Sequence, residues 1–86
     1  MEKYIQIFKA LGDETRLKII QLLFTGDHCV GGLAKQLGIS NSAVSQQLSI
    51  LKEANLVSSK KVGYYSHYSV QKEELSLVIN EIKKWK

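Results

Sequence analysis

The sequence predicts a mainly α-helical fold carrying one β-hairpin, and three observations predict it. Apolar residues recur at helical spacing in four successive stretches before residue 56, each closed by a glycine or an asparagine. Two runs rich in β-formers follow, with Gly63 between them. Helical spacing then returns to the end of the chain through Leu75, Val78, Ile79, Ile82 and Trp85. Eighty-six residues leave room for a single domain, 1–86. A chain of this size buries only about 60–65% of its unfolded surface, so pairing with a second subunit is expected to supplement the core.

The first stretch carries Tyr4, Ile5, Ile7, Phe8 and Leu11 and ends at Gly12. Asp13 then offers an N-cap, with Glu14 in the first turn facing the positive end of the helix dipole. The helix it starts is expected to turn Leu17, Ile20 and Phe24 inward, with Ile19, Leu22 and Leu23 widening the face, and to stop at Gly26. A short third pattern, Val30, Leu33, Ala34 and Leu37, closes at Gly38. Ser40 or Asn41 caps a longer helix with Val44, Leu48 and Leu51 inward, ending near Asn55, a residue that tolerates the left-handed conformation. Residues 56–62 and 65–70 make a two-stranded hairpin. The order is helix, helix, helix-turn-helix, hairpin, helix, which is a winged helix-turn-helix.

A helix-turn-helix needs a tight turn and small or aliphatic residues where its helices cross. Ala34, Gly38, Ile39, Val44 and Leu48 meet that need. With the inward positions removed, the second helix presents Asn41, Ser42, Ser45, Gln46, Ser49 and Lys52. That face has hydroxyls, amides, one lysine and no acid. It suits a groove about 12 Å wide, where such groups exchange hydrogen bonds with base edges and phosphates. The bland alternative is a solvated face, but those usually carry Glu–Lys pairs, whereas Ser and Asn are mediocre helix formers. Lys60 and Lys61 are placed at the base of the wing, with Gly63, Tyr64 and Tyr65 at its tip. Lys60, Lys61 and Tyr64 are candidates for contact with the sugar-phosphate backbone. Tyr68 and Val70 are expected to close the core, with Tyr65 and His67 facing out.

Charge supports this placement. The net charge is +4. Residues 1–29 balance Lys3, Lys9, Arg16 and Lys18 against Glu2, Asp13, Glu14 and Asp27. Residues 30–70 hold Lys35, Lys52, Lys60 and Lys61 against Glu53 alone, so the middle of the chain is where a polyanion would be drawn. Apolar content of 44% is that of a globular chain. No run of about 18 apolar residues occurs, so no membrane span is expected. Met1-Glu2-Lys3-Tyr4 leads into an amphipathic stretch unlike a signal peptide, so a cytoplasmic protein is expected. Cys29 is the one cysteine, which rules out an intrachain disulfide.

Leu11 to Ile20, Leu33 to Leu51, Ala54 to Val57 and Gly63 to Val70 together resemble the ArsR/SmtB family of bacterial and archaeal repressors. The resemblance covers nearly the whole chain. It implies a homodimer joined through the first and last helices, bound to double-stranded DNA at an imperfect palindrome and released by an inducer. It places Asn41, Ser42, Ser45 and Gln46 at contacting positions of the recognition helix. Tyr4, Phe8, Leu75, Val78, Ile79 and Ile82 are the candidate dimer residues. Members that sense soft metals carry Cys-Val-Cys at the start of the third helix; this chain reads Cys29-Val30-Gly31, with Ala34 where some arsenic sensors have a further cysteine. Members that sense zinc-like ions place Asp and His on the last helix, where this chain has Lys72-Glu73-Glu74 and Asn80-Glu81. No metal or other cofactor is therefore expected.

Three readings of Cys29 stay open: a structural thiol at the mouth of a helix, a redox or electrophile sensor, and a degenerate metal or arsenical ligand. His28 and His67 are isolated. The inducer is not legible. An interaction-only or RNA-binding winged helix is the rival reading, and the lysine pair with the acid-free face speaks against it. An enzyme is disfavoured, since no nucleophile–base pair, phosphate-cradling glycine loop or carboxylate–histidine cluster is visible.

Overall fold

A computed structural model describes residues 2–85; Met1 and Lys86, the two ends of the expected domain, lie outside the described residues. The elements run α1 (Glu2–Leu11), α2 (Glu14–Leu23), β1 (His28–Cys29), α3 (Val30–Leu37), α4 (Asn41–Glu53), β2 (Val57–Val62), β3 (Tyr65–Val70) and α5 (Lys72–Lys83). One contiguous core gathers Ile7, Ile19, Leu33, Leu48, Leu51 and Leu56, among others, from both sides of the helix-turn-helix. This is the winged helix-turn-helix that the apolar periodicity predicts.

Local chemistry sets the boundaries. The Asp13 carboxylate accepts from the Arg16 backbone N–H at 3.1 Å and starts α2. The Ser40 hydroxyl accepts from the Ala43 N–H at 3.0 Å and starts α4, so Ser40 rather than Asn41 is the cap. At the end of α3, Gly38 adopts φ 68° and the Ile39 N–H returns to the Ala34 carbonyl at 3.2 Å. At the end of α4, Asn55 adopts φ 62°, its N–H reaches the Lys52 carbonyl at 2.9 Å and the Leu56 N–H reaches Leu51 at 3.0 Å. This is the Schellman arrangement, which satisfies the last carbonyls and steers the chain into the wing.

Four expectations are corrected. Leu17 and Phe24 are exposed, not inward; α2 buries Ile19, Ile20 and Leu23 instead. The apolar arc of α2 is wider than the surface α2 covers, so its edge is left outside. Phe24 caps the helix ahead of Gly26 and carries the Lys72 ammonium 5.8 Å from its ring centroid. The wing is a three-stranded antiparallel sheet in the order β1-β3-β2, because β1 adds His28 opposite Tyr68 and Cys29 opposite His67. Two residues carry no readable alternation, which is why the periodicity gave only a hairpin. Lys60 and Lys61 sit opposite His67 and Ser66 in the outer half of the ribbon, not at its base, which is the Val57–Val70 pair. Finally, Val78 is 4% exposed within this protomer's own core. Both faces of α5 are apolar, so spacing could not tell which one the protomer keeps.

Candidate nucleic-acid interface

The α3–α4 corner is closed by only three residues, Gly38 to Ser40, and by burial of Leu33, Ala34, Val44 and Leu48. Burying that side of α4 leaves its opposite side free. Asn41, Ser42, Ser45, Gln46, Ser49 and Lys52 are all exposed, as the helical spacing predicts. Among them no carboxylate intervenes; Glu53, the one acid of α4, lies in its last turn. The N-terminal end of α4 carries the positive end of the helix dipole, so Asn41 and Ser42 stand where an anionic oxygen is favoured.

Beside this face stands the ribbon. Val62 pairs with Tyr65, which leaves Gly63 and Tyr64 as a two-residue turn. Gly63 takes φ 62° while Tyr64 keeps a negative φ, the pattern of a type II′ turn with glycine at its first central position. Tyr64 at the tip is 98% exposed, with Lys60 and Lys61 exposed behind it. Tyr68 and Val70 pack against the core from the same strand. A cleft of about 320 Å³ separates the tip from the starts of α3 and α4; Asn41, Cys29, Tyr64 and Tyr65 line it. Lys52 also joins the two parts, since its ammonium donates to the Ser59 hydroxyl at 3.0 Å. Both residues are exposed, so the lysine stays at the surface.

Cys29 is the N-cap of α3: its sulfur accepts from the Gly32 N–H at 3.4 Å. It is half-buried and unbridged. Among the described residues, no three His, Cys, Asp or Glu side chains come together in a way that could hold a metal ion. Likewise, no helix there is long and apolar enough to cross a membrane.

Residues of α1 also meet α5 and the residues after it. Lys3 pairs with Glu74 at 3.2 Å, and the rings of Phe8 and Trp85 lie 6.3 Å apart. Of the expected dimer residues, Phe8, Ile79 and Ile82 are exposed, Tyr4 and Leu75 are half-buried against the protomer's core, and Val78 is inside it. Ile5 and Trp85 are exposed as well, and Leu77 is exposed on the other flank of α5, about 200° round the helix from Ile79. Two residues of α4 itself are not foreseen by the apolar spacing. Gln47 turns inward and accepts from Arg16, and Ile50 is an exposed apolar residue on α4. Both lie at positions where inward and outward cannot be told from the residue type.

Comparison with known proteins agrees with this geometry. Residues 13–59 match the family model described as bacterial regulatory protein, arsR family. The chain is 39% identical over 74 residues to the transcriptional repressor SdpR of Bacillus subtilis (strain 168), covering 86% of this chain and 82% of that one. It is 37% identical over 82 residues to the arsenical resistance operon repressor of the same organism, covering 94% and 78%. Among solved structures, an ArsR-like transcriptional regulator from Rhodococcus sp. RHA1 superposes with a TM-score of 0.90 at 31% identity, covering 96% of this chain and 78% of that one. With an acid-free row on α4, a basic ribbon beside it and matches across both, this chain belongs to the ArsR family of DNA-binding transcriptional regulators.

Proposed function

We propose that the protein is a cytoplasmic repressor that binds a palindromic operator as a homodimer and is released by an inducer. One observation carries the reading: α4 exposes a continuous row of Asn, Ser, Gln and Lys without an acid. A duplex meets hydrogen-bonding groups along the whole row and no like charge. Two relatives are themselves named repressors, which favours repression as the outcome of binding. Asn41, Ser42, Ser45, Gln46 and Ser49 are assigned to the major groove. Lys52, Lys60, Lys61 and Tyr64 are assigned to the backbone beside it. Phe8, Ile79 and Ile82 form the centre of the dimer contact, flanked by Ile5 and Trp85. A two-fold axis there sets the recognition helices about one turn of duplex apart, near 34 Å. An inducer that changes this spacing needs a coupling of only about 1–3 kcal/mol to matter. No metal or cofactor is assigned, and Cys29 is assigned to capping α3.

The test is a gel-shift titration against a duplex selected from a randomised pool, with random duplex as competitor, across a series of salt concentrations. Selective, salt-dependent binding is expected. In the same assay Gln46→Ala should lose about 1–3 kcal/mol of discrimination at one base pair in each half-site. Binding without sequence preference would instead favour a winged helix used for protein contacts.

A further inference from the structure

Arg16 lies on α2, outside the surface assigned to DNA, yet it holds three acceptors at once. Its Nε donates to the Ala10 carbonyl at 2.6 Å, and its Nη2 donates to the Lys9 carbonyl at 3.3 Å. Its Nη1 donates to Oε1 of Gln47 at 2.7 Å. Lys9 and Ala10 are in the last turn of α1, where carbonyls have no partner within the helix. Gln47 is on α4, next in sequence to the outward Gln46. A second tie runs between the same two helices: Gln6 of α1 donates to the Glu53 carbonyl at the end of α4, at 3.3 Å. So α4 is fastened to α1 at its middle through Arg16 and at its end through Gln6.

We infer that Arg16 is a positioning residue for DNA reading: through Gln47 it sets the angle of the recognition helix against α1. The inference rests on the DNA-binding reading above. A planar guanidinium suits the task, because its five donors point in fixed directions and a charge-assisted bond to an amide oxygen is short and strong. Burial of Val44, Leu48 and Leu51 decides which side of α4 meets the core, but the hydrophobic term is non-directional and does not by itself define the fine angle against α1. The guanidinium supplies the missing direction. It also connects α1, which carries the exposed Ile5 and Phe8, to the helix that reads bases.

The experiment compares full-length wild type with Gln47→Met, Gln47→Glu and Arg16→Lys. It measures affinity for the pool-selected duplex and for random duplex, the salt slope, the sedimentation coefficient and the urea midpoint. Gln47→Met keeps the volume and removes the acceptor, leaving both Arg16 bonds to α1 in place. It should lower the selected-to-random ratio about tenfold, with the salt slope and sedimentation unchanged. Gln47→Glu keeps an acceptor oxygen for the guanidinium and should stay within about twofold of wild type. Arg16→Lys, a point donor that cannot span three acceptors, should lose the ratio as Gln47→Met does. A role confined to capping α1 would lower the urea midpoint in Arg16→Lys and leave the ratio alone in both variants, which overturns the inference. A wild-type chain without preference for any selected duplex overturns the DNA-binding reading itself, and this inference with it.

Discussion

Asn55 is the residue on which the junction between α4 and the ribbon turns. Its φ of 62° lies where an L side chain crowds the following carbonyl, at a cost of roughly 1–2 kcal/mol for most residues. Asparagine pays less because its short amide bonds locally, and glycine has no Cβ to crowd. Asn55→Val should therefore lower stability by about 1–2 kcal/mol, whereas Asn55→Gly should leave it within a few tenths. Urea unfolding at one fixed protomer concentration checks both, since an associating protein's midpoint moves with concentration. Cys29 allows a second test at this scale. A thiol is a weak acceptor, and the 3.4 Å bond from Gly32 is correspondingly long. Serine is a better cap, so Cys29→Ser should match or exceed wild type in stability, with Cys29→Ala below Cys29→Ser by about 0.5–2 kcal/mol. If Cys29→Ala equals Cys29→Ser, the capping role is wrong.

In the proposed function α4 reads bases and the ribbon meets the backbone, and salt separates the two contributions. Lysines that neutralise phosphates release counterions, so each effective contact adds about one to the salt slope of binding. Lys60→Ala and Lys61→Ala should each reduce that slope by about 1 and weaken selected and random duplexes alike. A substitution that changed sequence preference instead would move that lysine from the backbone to a base edge. Each element's legibility in the sequence followed from how its signal is written. The α4 face was readable because burial of Val44, Leu48 and Leu51 leaves one side free, and helical geometry assigns the remainder. The cap at Ser40 and the left-handed residues at Gly38 and Asn55 were readable because each residue type has its own backbone reason to be there. β1 was not, because His28 and Cys29 owe their strand conformation entirely to pairing with β3. Arg16 was not either: an arginine amid a helix reads as a solvated charge until tertiary structure brings Ala10 and Gln47 to it.

At the scale of the whole molecule, the proposed dimer rests on the exposed apolar residues of α1 and α5. Ile5, Phe8, Ile79 and Ile82 are exposed on these two helices and Trp85 just past the end of α5, on a protomer with 5870 Å² of surface. A standard interface takes about 800 Å² from each partner, a considerable share of so small a chain. These five large apolar residues can supply its centre, while Val78 and half-buried Leu75 keep α5 attached to its own core. Ile79 is the most informative position, being 53% exposed and one residue beyond Val78. A glutamate there leaves the protomer's interior untouched but sets two carboxylates close together and desolvated in the dimer. Ile79→Glu should therefore sediment as a monomer with its helical content kept, and its affinity for a palindromic duplex should fall by orders of magnitude because two half-sites no longer bind as one unit. A single half-site should bind wild type and variant with similar weak affinity. A variant that stays dimeric by sedimentation places the two-fold axis elsewhere on the molecule, and with it the spacing between recognition helices.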